Sequence, residues 1–149
     1  MQLRRSARLV ILSPQNRLLL FQYSDEHSAP FWSTPGGELI NDESYRDAAK
    51  RELIEETGFV ADIRSMIRER DSVYAVARST PARWLEKYFV VNVNSEKMPN
   101  SSNWTDEERA TITKSRWWAM EDWLTNKETL KPEWIPELHD SAINNADVG

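Results

Sequence analysis

The apolar residues of this chain fall in short dense runs separated by polar turns, except for one central stretch that follows a helical period. Residues 3–12 (LRRSARLVIL) begin polar and end apolar, and residues 17–23 (RLLLFQY) carry four apolar side chains in succession. Runs of this kind predict strands, and the Pro14-Gln15-Asn16 turn between them predicts a hairpin. Unbroken apolarity in Leu18-Leu19-Leu20-Phe21 implies a strand buried on both faces, as in a sheet covered by helices. Residues 24–31 (SDEHSAPF) read as a polar loop, and residues 60–70 and 72–78 as two β-prone runs around Asp71. After Pro81, the run from Trp84 to Val93 predicts a strong strand. Residues 94–110 are polar and predict a mobile loop, with a short capped turn of helix at Thr105 to Arg109. A strand over 111–119, a short helix starting at Glu121 to Leu124, and a terminal helix over 132–145 with Pro132 in its first turn complete the chain.

The central stretch is the helix. Ser44 followed three residues later by Asp47 resembles a capping box, so the helix starts at Tyr45. Ala48, Ala49 and Leu53 carry it on, and Gly58 is placed to end it. Glu52, Glu55 and Glu56 stand at i, i+3 and i+4, which puts three like charges on one helix face. Stability alone argues against that arrangement, whereas a hard divalent cation with oxygen ligands, such as Mg²⁺, explains it. Arg51, four residues before Glu55 and eight after Glu43, is close enough to pin a carboxylate. Gly36 and Gly37 let the preceding loop bring backbone carbonyls close to such an ion.

Taken together, these residues resemble the Nudix box, G-x5-E-x7-R-E-U-x-E-E-x-G-U with U a bulky apolar residue. Gly37 to Phe59 matches at every fixed position, and Trp32 to Gly37 looks like the usual lead-in. The strand and helix order is that of a mixed α+β chain with helices on both sides of a central sheet. The resemblance implies an α/β/α sandwich, its mixed sheet carrying the box helix and the C-terminal helix.

Length and composition restrict the setting. A chain of 149 residues suits one domain, here residues 1–149. A net charge of −5 gives no basic footprint, so no stable nucleic-acid partner is expected. The chain has no cysteine, hence no disulfide framework and no thiolate metal site. The apolar run after Arg4 and Arg5 is too short for a signal core or a membrane span, so no membrane partner is expected and the cytoplasm is the default compartment.

The resemblance implies Mg²⁺-dependent hydrolysis, with Mn²⁺ a possible substitute, of a diphosphate bond in a nucleoside diphosphate linked to another group. Glu55 and Glu56 then become metal ligands, Glu52 a ligand or the base, the Gly37 carbonyl a further ligand, and Arg51 the residue that orients a glutamate. Glu43 is expected as a partner of Arg51 or an outer ligand. Some relatives recruit their general base from a later loop, for which Glu107 and Glu108 are the candidates here.

Substrate choice lies outside the box. Arg8, with Arg4 and Arg5, is a candidate to face a phosphate, the alternative being solvated edge charge. Of the seven tryptophans, Trp104 is singled out for base stacking because nothing in its polar loop predicts burial. Trp117 and Trp118 must point to opposite sheet faces. His27 is expected to be exposed in its loop and His139 to lie on the surface. A monomer or a homodimer acting on a small nucleoside diphosphate derivative is the expected form. The alternative from another class is a non-catalytic sensor on the same fold, against which the intact glutamate set argues.

Overall fold

A computed structural model describes residues 1–75 and 79–145. Its elements are β1 (Leu3–Leu12), β2 (Leu18–Asp25), β3 (Ser28–Ser33), β4 (Gly36–Glu38), α1 (Tyr45–Glu52), β5 (Met66–Tyr74), β6 (Ala82–Asn92), α2 (Asp106–Thr111), β7 (Ile112–Trp118) and α3 (Ile135–Asn144). A π-type turn over Leu53–Thr57 prolongs α1, and a 3₁₀ turn over Met120–Leu124 follows β7.

The strands form one mixed sheet. Its path runs β3-β2-β1-β6-β5, with β4 added beside β1 and β7 beside β2. The central pairing of β1 with β6 is parallel and unbroken from Leu3↔Arg83 to Leu12↔Asn92. Side-chain alternation along β1 and β2 then sorts the core into two layers. Ala7, Leu9, Ile11, Leu19 and Phe21 meet Ala48, Ala49 and Leu53 on one face. Val10, Leu12, Leu18 and Leu20 meet Ile135, Leu138 and Ala142 of α3 on the other. Both faces of Leu18 to Phe21 are buried, as their unbroken apolarity predicted. Truncating Leu53, fully enclosed in the first layer, to alanine would cost about 2–5 kcal/mol. The mixed sheet between α1 and α3 is the α+β sandwich expected.

Several local expectations are corrected. The polar loop at 24–31 is a hairpin, because β2 runs to Asp25 and β3 begins at Ser28. The two β-prone runs around Asp71 are one edge strand, since Asp71 points outward to Arg83 at 2.7 and 2.9 Å and leaves the ladder intact. The end of the second run, residues 76–78, lies outside the described residues, as do residues 146–149 at the chain end. Pro136 rather than Pro132 sits in the first turn of α3. His139 is not on the surface: it is fully buried, accepting from Trp123 Nε1 at Nδ1 (3.0 Å) with its Nε2 2.7 Å from the Asn16 carbonyl. Trp117 joins the first layer and Trp118 the second, the opposite facing expected. No helix among the described residues is long and apolar enough to cross a membrane.

Candidate functional site

Ser44 Oγ accepts from the Asp47 amide at 3.0 Å and starts α1 at Tyr45. Gly58, at φ 74°, ends the π-type turn. Glu52 and Glu56 are buried, whereas the Glu55 side chain is 46% exposed and bonds Arg51 at 3.0 Å. Glu55 stays beside Glu52, both accepting from Arg51 Nη1, and a further carboxylate arrives from elsewhere. Thr105 caps α2 in a reciprocal box with Glu108, and Glu108 reaches Glu56, so that oxygens of Glu52, Glu56 and Glu108 lie within 4.8 Å of one another.

This cluster is short of positive charge. Burial pushes the Glu56 carboxyl well above its ordinary value, and the neighbouring Glu52 and Glu108 charges push it further. Burial also raises Glu52, although Arg51 Nη1 donates to it at 2.7 Å and pulls the other way. Glu108 stands close enough to Glu56 that the two carboxylates repel unless a proton or a cation comes between them. No ion pair to Glu56 forms among the described residues. Three carboxylates with so few counter-charges fit a hard divalent cation, whose arrival would relieve their repulsion.

Arg51 organises the outer side. It donates through Nε and Nη2 to the two oxygens of Glu43 at 2.8 Å each, and to the Glu38 carbonyl at 3.0 Å. That bidentate grip holds the Glu43 carboxyl down at about 2. A side chain at Gly37 would meet the Glu52 carboxylate within 3 Å and force it to shift. The Gly36 amide donates to Glu56 at 3.4 Å, so the lead-in loop borders the cluster.

From the cluster a cleft of about 580 Å³ opens across one half of the sheet. Arg8, Glu107, Glu108 and Gly37 line it, and His27 borders it from the β2–β3 turn. Arg8 donates to the carbonyl and hydroxyl of Thr34. Arg4 also lines the cleft, but Glu38 grips it at 2.8 and 2.5 Å. Arg5, one residue out of phase, is exposed and outside it, as strand alternation demands.

Trp104 corrects its own premise. It is half-buried, its ring edge-on to Phe21 at 5.6 Å, and its Nε1 donates to the Glu56 carbonyl at 2.6 Å. It braces the turn carrying Glu56 and does not line the cleft. The loop expected to be mobile is tied down there, since the Asn100 amide also donates to the Thr57 carbonyl at 2.9 Å.

Sequence reading missed Glu86 and Arg70, both of which line the cleft. A signal existed: Trp84, Glu86, Tyr88 and Val90 alternate on one face of β6, so a charge sits at an inward position of an apolar strand.

Comparison with known proteins places these features in a family. The family model described as NUDIX domain matches residues 2–138. A Bacillus subtilis (strain 168) protein named "Putative 8-oxo-dGTP diphosphatase" is 35% identical over 63 residues, a match covering 42% of this chain and 40% of that protein. The chain thus spans well under half the length of that curated relative. The crystal structure of a MutT protein from Methanosarcina mazei Go1 superposes with TM-score 0.70 at 17% identity, covering 97% of this chain and 96% of that one. A C. elegans Ap4A hydrolase superposes with TM-score 0.65 at 19% identity over 98% and 99% of the two chains.

Proposed function

The chain belongs to the NUDIX domain family, and from that premise we propose that it is a Mg²⁺-dependent hydrolase of nucleoside diphosphate derivatives. It splits the diphosphate bond to give a nucleoside monophosphate and the phosphorylated remainder. The observation that carries this reading is the cluster of buried Glu52 and Glu56 with half-buried Glu108, opening into a cleft with Arg8 in its wall. The relatives' names, an 8-oxo-dGTP diphosphatase and an Ap4A hydrolase, both denote nucleoside polyphosphates, which supports the same substrate class.

Glu52 and Glu56, with the Gly37 carbonyl, would hold the ion, Glu55 would complete the set once drawn from Arg51, and Glu108 stands beside it. A bound divalent cation withdraws charge from the phosphate oxygens and lowers the pKa of nearby water. The residues of this chain do the rest. Glu108, on a separately capped helix, accepts the proton of the attacking water as its oxygen bonds to phosphorus. Glu52 is the alternative base. The anhydride P–O bond then breaks, and the electron pair leaves with the departing phosphate. Arg51 keeps Glu52 and Glu43 in place, Trp104 braces the Glu56 turn, and Arg8 balances the phosphate charge.

A phosphate-release screen with Mg²⁺ over nucleoside triphosphates, 8-oxo-dGTP, nucleotide sugars and dinucleoside polyphosphates tests the proposal. Turnover of one class, lost in Glu56→Gln, is the expected result. Turnover undiminished in that variant would overturn the site assignment.

A further inference from the structure

We propose that Arg70 binds a phosphate of the substrate at the end of the cleft remote from the carboxylate cluster, and that Glu86 is the positioning residue that holds it there. The proposal extends the hydrolase reading above but stands on a separate part of the cleft.

Glu86 is 2% exposed, at an inward position of β6. Ser6 Oγ donates to it at 2.6 Å, Arg70 Nη1 donates at 3.3 Å, and Arg8 Nε stands at 3.9 Å. A buried carboxylate so engaged serves its neighbours rather than a ligand. Two guanidiniums, Arg8 and Arg70, share this one carboxylate, whereas Arg4 nearby has Glu38 to itself. Among Arg8, Arg70 and Glu86 the charge is therefore positive by one, while Glu56, Glu107 and Glu108 also line the cleft.

The register fixes where that surplus lies. Glu38, Ser6, Glu86 and Arg70 stand side by side on β4, β1, β6 and β5. Three strand spacings separate the first from the last, about 14 Å. Arg70 is thus well removed from the loop that borders the glutamates, across the same cleft. Its side chain is 24% exposed, with its guanidinium over the Tyr74 ring at 4.9 Å. A planar fork of five donors is not exhausted by the bond to Glu86, and it matches phosphate oxygens bidentately.

Calorimetric titration with inorganic tripolyphosphate in the presence of EDTA tests this without recourse to metal or turnover. Wild-type protein is expected to bind, Arg70→Gln to bind about tenfold more weakly, and Glu86→Gln to show a similar loss. Because Glu86 acts through Arg70, the double variant should be no weaker than about the worse single one. If Glu86→Gln does not fold, Arg70→Lys carries the test, since retention of the charge must keep more affinity than Arg70→Gln. For any nucleotide turned over, Arg70→Gln should raise KM about tenfold and leave kcat within about twofold. Absence of tripolyphosphate binding, an unchanged Arg70→Gln, equal losses in Arg70→Lys and Arg70→Gln, or multiplying losses in the double variant would each overturn the proposal. A failed hydrolase screen would leave the binding result standing, so the two readings fail separately.

Discussion

Two groups of buried carboxylates face the same cleft and are treated in opposite ways. Glu86 is surrounded by donors, with Ser6 at 2.6 Å, Arg70 at 3.3 Å and Arg8 at 3.9 Å. Glu56 is surrounded by further carboxylates, with Glu52 and Glu108 oxygens within 4.8 Å. Burial costs both groups the hydration of their charge. At Glu86 the protein replaces that hydration from its own side chains; at Glu56 it leaves the replacement to something that must bind. The first arrangement is complete as folded, while the second is strained until filled.

The most severe test of that contrast is turnover. Glu56→Gln should lower Mg²⁺-dependent hydrolysis at least about 10³-fold, measured as phosphate release. Glu108→Gln should lower it about 10²-fold, as expected for loss of a base, while Glu107→Gln, on the neighbouring position of α2, stays within about threefold. Similar losses in Glu107→Gln and Glu108→Gln would dissolve the distinction drawn between them.

Stability should then change with opposite sign at the two places. Glu86→Gln leaves two guanidiniums uncompensated and is expected to cost about 3 kcal/mol in chemical denaturation. Glu56→Gln removes a buried repulsion and should raise the metal-free Tm by about 3 °C. A drop in both would mean that Glu56 is as well satisfied as Glu86.

The mildest effect is in the pH dependence of the metal-free protein. The Glu52 and Glu56 carboxyls titrate above their ordinary 4.5, so between 4.5 and their folded values the folded chain holds more protons than the unfolded one. Stability should therefore fall as pH rises through that window. Added Mg²⁺ should cancel the fall, and Glu56→Gln should flatten it. Glu43, held at about 2 by Arg51, works in the other direction: its contribution is present at neutral pH and is lost only as pH falls through the acid range towards 2. Thermal melts from pH 4 to 8, with and without Mg²⁺, would read the first window apart from the second.

What could be read in the sequence was what neighbouring residues decide. The Ser44 cap, the end at Gly58, the Arg51–Glu43 pair and the capped turn at Thr105 all follow from spacings of eight residues or fewer. The opposite facing of Trp117 and Trp118 followed from strand alternation. What escaped depended on contacts distant in sequence. A π-type turn over Leu53–Thr57 cannot be told from an α-helical one by apolar period. The burial of His139 depends on Asn16 and Trp123, and the bracing role of Trp104 on Glu56, 48 residues before it. Arg70 and Glu86 meet only because β5 and β6 pair in one register.

The parallel pairing of β1 with β6 has a consequence for the order of events as the chain is made. Ser6 and Glu86, hydrogen-bonded in the finished protein, are 80 residues apart. A parallel neighbour cannot be supplied by a short turn, and non-local pairing of this kind is slow to form. While β1 emerges from the ribosome its partner does not yet exist, and α1, with its buried glutamates, is complete before β6 is begun. Glu108 is later still. The nascent chain therefore exposes its most hydrophobic strands and its acidic helix for most of synthesis, and acquires a closed cleft only when its last third arrives.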